Sequence, residues 1–256
     1  MGSMMRDIKK IDEMLNFFNE CKFAFDLFIA KNIRSFSYKE KTTLGRYNRI
    51  LDNFAREEYH PVIEQMNFFV PYMMSRKIPE ANVQQAFVLD TVYKFIKKKT
   101  RPKILCVGSF EDTASACLKM MGYCIEEIDP AQNYDLETYF HLPTTCKASF
   151  DVVFSTSVIE HVADDETFIS QIAELLAFGG MGILTCDYNS NYKQGDRLPQ
   201  TDMRFYTKND FMERLIPCAK DCTLIDESQW DNSEPDFIYD GCLYSFATLS
   251  FQKSIP

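Results

Sequence analysis

The stretch KILCVGSFEDTAS, residues 103–115, and an acid further along, Asp129, have types and a spacing that suggest ligand chemistry. An apolar, strand-like run enters a turn holding one glycine, Gly108, and then a helix that Asp112 can cap. Asp129 follows Gly108 by 21 residues. A gap of roughly 20 is expected when a turn glycine and a ribose-binding carboxylate stand at the ends of adjacent parallel strands. Asp129 is therefore either an acceptor for two ribose hydroxyls or a turn residue ahead of Pro130.

The turn distinguishes among adenosyl ligands. A dinucleotide requires glycines so that backbone amides can approach its pyrophosphate, whereas Ser109, Phe110, Glu111 and Asp112 follow Gly108 here. Carboxylates repel a diphosphate at short range. A ligand carrying a sulfonium and an ammonium has the opposite requirement.

The elements that position these residues alternate from Lys103 onward. Strands are expected at KILCV, CIEEI, FDVVFS (150–155) and MGILTCD, with helices over 112–121, 164–177 and 208–216. Gly122 and the pair Gly179–Gly180 read as helix ends, and Thr207 as an N-cap. Two last strands, near 222–228 and 243–252, read as an antiparallel pair. The fold class is α/β: a Rossmann-like doubly wound sheet, mostly parallel with an antiparallel C-terminal strand. An all-helical N-terminal segment precedes it. Apolar residues there recur at helical spacing from Ile8 to Phe28, at Tyr47, Ile50, Leu51 and Phe54, and from Leu89 to Ile96, with Pro61, Pro71 and Pro79 as punctuation. Residues 1–100 are read as a helical cap or lid, and 101–256 as the Rossmann-like domain.

In this order the segments resemble the class I S-adenosylmethionine-dependent methyltransferases. ILCVGS is similar to the family's first motif and IEEID to its acidic second strand. SFDVVFSTSVIEHV resembles its fourth strand and following turn, and ELLAFGGMGILT the helix, Gly-Gly turn and fifth strand. The resemblance covers about residues 100–256. It implies S-adenosylmethionine as cofactor and S-adenosylhomocysteine as product. It also implies that Gly108, Ser109 and Phe110 line the cofactor turn, that Asp129 holds the ribose, and that Ser155, Thr156 and Ser157 line the methionine end. The family has an acid where Cys106 stands and further glycines where Phe110 and Asp112 stand. Either Glu111 or Asp112 is then expected to face the methionine ammonium, the alternative being that both complement a helix dipole. The connection from Asp129 to Phe150 is short for the helix and strand the family places there, which leaves Asp135 and Leu136 as candidates for the adenine contact.

A hydroxyl acceptor gains from a general base, and His161, Asp187 and Tyr188 stand at strand ends where one can lie. His161 can alternatively hold its loop by bonding backbone. Asp202, Arg204 and Tyr206 alternate, so an extended chain presents all three on one side as a wall for a polar substrate. Their segment resembles the D-x-R-F-Y-T stretch of family members that act on sugars and other small metabolites.

Composition narrows the partners. A formal charge of −9 repels nucleic acid, and the basic run 97–101 reads as a solvated helix end. Nine cysteines without a C-x-x-C, and only three histidines, point to reduced thiols in the cytoplasm and to no metal site. No stretch is apolar enough to span a bilayer, and Arg6 occupies the position where myristoylation requires Ser or Thr. The expectation is a cytoplasmic enzyme that methylates an oxygen or nitrogen of a polar small molecule, with sugars or sugar nucleotides as the class suggested by the last segment. The oligomeric state is left open. A catalytically silent cofactor-binding or scaffold protein and a protein methyltransferase are the alternatives.

Overall fold

The computed structural model describes residues 37–42, 45–231 and 234–255. The periodic positions from Ile8 to Phe28 lie outside the described residues.

Two helices lead, α1 (Asn53–Phe69) and α2 (Asn82–Ile96). The alternating part follows as β1 (Ile104–Val107), α3 (Thr113–Met120), β2 (Ile125–Ile128), α4 (Leu136–His141), β3 (Phe150–Thr156), α5 (Asp165–Leu175) and β4 (Leu176–Tyr188). Strands β5 (Cys222–Leu224), β6 (Phe237–Tyr239) and β7 (Cys242–Lys253) close the chain. The sheet runs β2-β1-β3-β4-β7-β5, with β6 paired to β7. Its first four strands are parallel, and β7 lies antiparallel to β4, β5 and β6. This is the expected Rossmann-like sheet.

Each central strand is apolar on both sides because helices cover both faces. Ile104, Cys106, Val152, Phe154 and Ile183 join α1, α2 and α3 in one core. Leu105, Val107, Val153 and Leu184 join α4 and α5 in the other. The N-terminal helices thus pack directly on the sheet, and Gln84 and Gln85 of α2 reach its C-terminal edge. Only α4 fills the connection between β2 and β3, which leaves β2 at the sheet edge.

Four local expectations are corrected. Tyr47, Ile50 and Leu51 are not helical, because Asn48 and its neighbours bond along β7: Ser250 N donates to Asn48 Oδ1 (2.7 Å) and Leu51 N to Phe246 O (2.7 Å). The helix starts only after Asp52, whose carboxylate accepts from Ala55 N (2.9 Å). Pro61 does not break α1, whose buried stripe of Tyr59, Val62, Met66 and Phe69 holds it on the core. The helix after Thr207 widens to a π-helical turn, Asp210–Leu215, ahead of Pro217, where an α-helical i−4 carbonyl would meet the proline ring. The pair Gly179–Gly180 is not a helix end but a bulge inside β4, where the register against β3 shifts.

That bulge sets the frame of the β4 residues beyond it. A Cβ on Gly180 would stand 2.7 Å from Phe150 O and 2.8 Å from Ala177 O, and neither backbone atom can yield cheaply. Gly180→Ala is expected to cost about 2 kcal/mol or more of unfolding free energy in urea titrations, as overpacking at a rigid site does.

Candidate functional site

The C-terminal ends of β1, β2, β3 and β4 meet around Gly108. Its φ of +80° is open to glycine at little cost, and a Cβ there would fall 2.3 Å from Val158 Cγ2. The turn is tied to β2 by Gly108 N and Ser109 N, both donating to Ile128 O (2.9 and 3.1 Å). Asp129 completes the tie: Oδ2 accepts from Phe110 N (3.0 Å) and Oδ1 from Ala131 N (2.8 Å). One lone pair on each oxygen remains for a further donor. Phe110 contributes through its backbone, and its ring is exposed.

Beside this turn a mostly apolar slot of about 430 Å³ opens between α4 and α5, lined by Gly108, Ile128, Leu136, Val158 and Phe168 among others. Asp135 stands at its rim and caps α4, accepting from Thr138 N (2.7 Å). Those hydrogen bonds hold its carboxyl below the usual carboxylate range. The slot is of a size and polarity suited to a planar heterocycle.

The two acids of the turn part company. Asp112 is buried, caps α3 through Ser115 N (2.6 Å), and accepts from Gln85 Nε2 (3.0 Å). Burial raises its pKa, and Thr156 lies beside it. Glu111 points outward into ion pairs with Arg76 and with Lys77 (3.8 Å). The structure therefore turns Asp112 inward at the start of α3 and Glu111 outward.

A second cavity, about 170 Å³, lies on the α2 side of β4. Ser157, at φ +54°, donates its N–H to Thr185 O (3.0 Å) and turns the end of β3 toward it. Gln84, Ser157, His161, Asp187 and Asp202 line one part, and Ile78, Ala81 and rings from β6 and β7 another. Glu160 lies fully buried just behind, with Oε1 accepting from Ser157 Oγ (2.7 Å) and Oε2 without a partner. Burial pushes its pKa up to about 7. Asp187 is raised well above the carboxylate range, first by burial and then by Glu160 and Asp202. His161 Nδ1 lies 3.1 Å from Thr201 O and 3.3 Å from Asp202 Oδ1, which anchors the imidazole to the 201–202 turn. Ser109 Oγ, Ser155 Oγ and Thr185 Oγ1 are buried nearby without partners. Among the described residues, no group of His, Cys, Asp and Glu is arranged to hold a metal ion.

Three expected site residues belong elsewhere. Tyr188 follows Asp187 and so faces the opposite side of the sheet, where its hydroxyl donates to Trp230 O (2.7 Å) and its ring stacks on Phe211. Arg204 and Tyr206 do not share a side with Asp202. A turn closed by Asp202 N and Pro199 O (3.1 Å) breaks the alternation, and both residues bond to Asp165 instead, Tyr206 through its hydroxyl at 3.0 Å. Glu160, Gln84, Gln85 and Tyr244 were not among the expected site residues. The polar pair Gln84–Gln85 inside the otherwise apolar run VQQAFVL was the available signal for the contribution of α2.

A further cavity, about 840 Å³, opens at the N-terminal ends of β1, β2 and β3. Ligands of open α/β sheets bind beyond the C-terminal ends. The cleft around Gly108 is the candidate site.

Residues 113–184 match the family model described as a methyltransferase domain. No curated protein matches the chain. Similar solved structures include the 1,6-didemethyltoxoflavin-N1-methyltransferase of Burkholderia thailandensis, with 15% identity, 78% of this chain and 91% of that one covered, and a TM-score of 0.49. An arsenic(III) S-adenosylmethionine methyltransferase from Chlamydomonas reinhardtii shows 17% identity, coverage of 68% and 73%, and a TM-score of 0.43. The [4+2]-cyclase SpnF shows 14%, 71% and 84%, and 0.47. The family match covers residues 113–184, and the strand order is that of the Rossmann-like sheet expected from the sequence. The methyltransferase-domain match over these residues supports an enzyme that takes S-adenosylmethionine as cofactor. No helix among the described residues is long and apolar enough to cross a membrane.

Two outcomes follow from this geometry. Gly108→Ala is expected to lose about 2 kcal/mol of stability or more, from left-handed strain and the Val158 clash together, read as a lower urea midpoint. Glu160 links stability to pH: between pH 4.5 and about 7 the folded protein keeps a proton that the unfolded chain has released, so stability falls as pH rises through that window. Glu160→Gln removes this component. The Tm difference, wild type minus variant, is expected to shrink between pH 5 and pH 8.

Proposed function

We propose that the chain is an S-adenosylmethionine-dependent methyltransferase that acts on an oxygen or nitrogen of a polar small molecule held in the acidic cavity. In this proposal Asp129 holds the ribose of the cofactor, with Gly108, Ser109 and Phe110 forming the turn against it. Leu136 and Asp135 border the adenine. Asp112, Ser155, Thr156 and Ser157 line the methionine end. When bound, S-adenosylmethionine supplies a methyl group already activated by the sulfonium. What the chain adds is alignment of the acceptor and exclusion of water.

The observation that carries this reading is the set of buried polar atoms without partners at the strand ends, Ser109 Oγ, Ser155 Oγ, Thr185 Oγ1 and Asp187 Oδ1. Leaving such groups unpaired costs about 1–3 kcal/mol each, a penalty that a polar ligand relieves. Asp187 is the favoured general base, since it borders the cavity with an unpartnered oxygen, whereas His161 is anchored to the 201–202 turn. The small volume of the cavity favours a small molecule over a protein side chain carried on a folded chain. Its acidity, like the overall charge of −9, disfavours nucleic acid and sugar nucleotides alike. The sugar expectation loses its basis, because Arg204 and Tyr206 turn away from the cavity. The N-terminal helices help to close the site through Gln84 and Gln85, and buried free thiols such as Cys106 and Cys186 suit the cytoplasm.

Calorimetric titration with S-adenosylhomocysteine is expected to show one site, and Asp129→Ala to weaken it about tenfold or more, as loss of a charge-assisted hydrogen bond does. Absence of binding to the wild type, or an unchanged affinity in the variant, contradicts the proposed site.

A further inference from the structure

We infer that the acidic cavity recognises a protonated amine, so that the substrate of the reaction proposed above carries an ammonium group. The inference rests on that reading for the word substrate, and on the cavity alone for its chemistry.

The polar atoms left unpaired at the cavity are acceptors. Asp187 Oδ1 and Asp202 Oδ2 have no partner. Gln84 Oε1, on a different element, is also unpartnered, and its side chain is 3% exposed while lining the same cavity. Among the described residues, no Lys or Arg lines the cavity, and His161 is the one basic residue there. Glu160 adds a third buried carboxyl behind Ser157. A hydroxyl compound can satisfy individual acceptors, but it offers the buried carboxyls no cation against which to ionise. An ammonium supplies up to three donors and the missing positive charge at once.

The remaining wall has matching chemistry. Phe237, Tyr244 and Phe246 face the cavity and pack on one another with ring centroids 4.7–5.7 Å apart. Aromatic faces opposite carboxylates form the arrangement that attracts an alkylammonium ion, through the ring quadrupole on one side and charge on the other. A carboxylate-bearing or phosphorylated molecule finds no Lys or Arg among the described lining residues to compensate its charge. Burial and mutual repulsion hold Glu160 and Asp187 above the usual carboxylate range, which is how a site short of one positive charge responds.

The test uses the full chain saturated with S-adenosylhomocysteine and three isosteric probes: benzylamine, benzyl alcohol and benzoate. Calorimetry is expected to give at least tenfold tighter binding of benzylamine than of benzyl alcohol, and no binding of benzoate. Asp202→Asn is expected to weaken benzylamine at least fivefold with little effect on benzyl alcohol, and titrating the variant with S-adenosylhomocysteine reports whether it is folded. Benzyl alcohol binding as tightly as benzylamine overturns the inference. So does benzylamine binding that S-adenosylhomocysteine abolishes, since the cavity then belongs to the cofactor. Failure of S-adenosylhomocysteine itself to bind is a different result, seen in the first titration, and it overturns the reading on which the inference rests.

Discussion

Three carboxyl groups, those of Glu160, Asp187 and Asp202, are withdrawn from water at the C-terminal edge of the sheet, and among the described residues no lysine or arginine lines the cavity that Asp187 and Asp202 border. Burying charge without a partner costs several kcal/mol per ion, so proteins hold such a group neutral or pair it. Here the fold does the former, with Glu160 and Asp187 both shifted toward the protonated form. A strained, acceptor-rich site of this kind is stable only because the surrounding elements are over-determined.

Those elements come from distant parts of the chain. The bulge at Gly179–Gly180 sets the register that carries Asp187 to the strand end, and the left-handed Ser157 bends β3 so that Ser157 can hold Glu160. The N-terminal segment is stitched to β7 through Asn48 and Ser250, which fixes where α1 begins and supports the approach of α2 to the sheet. From α2, Gln85 bonds both Asp112 and Ala114 N, so the cap of α3 and the cleft turn share one anchor. A disturbance in any of these contacts reaches the site through backbone position rather than through direct contact with a ligand.

The sheet and its strand ends were legible in the sequence because buried parallel strands write continuous apolar runs, as in ILCV and FDVVFST. Asp129 and Asp112 were legible for the same reason: a turn follows each run, and the spacing to the next strand end is set by βαβ geometry. Arg204 and Tyr206 were misplaced because alternation carries information only when the chain is extended, and one hydrogen bond from Asp202 to Pro199 removes that condition. Tyr188 failed by one residue, since a neighbour in a strand faces the other side. The pocket's aromatic wall was illegible, for Phe237, Tyr244 and Phe246 reach the site only through the antiparallel pairing of β6 and β7, which no local pattern encodes as a substrate contact.

A crystal structure with S-adenosylhomocysteine tests the placement of the whole site most directly. The ribose is expected within hydrogen-bonding distance of Asp129 and the sulfur facing the cavity bordered by Asp187. The ligand seated in the cavity at the N-terminal ends of β1, β2 and β3, or with its sulfur turned away from Asp187, contradicts it.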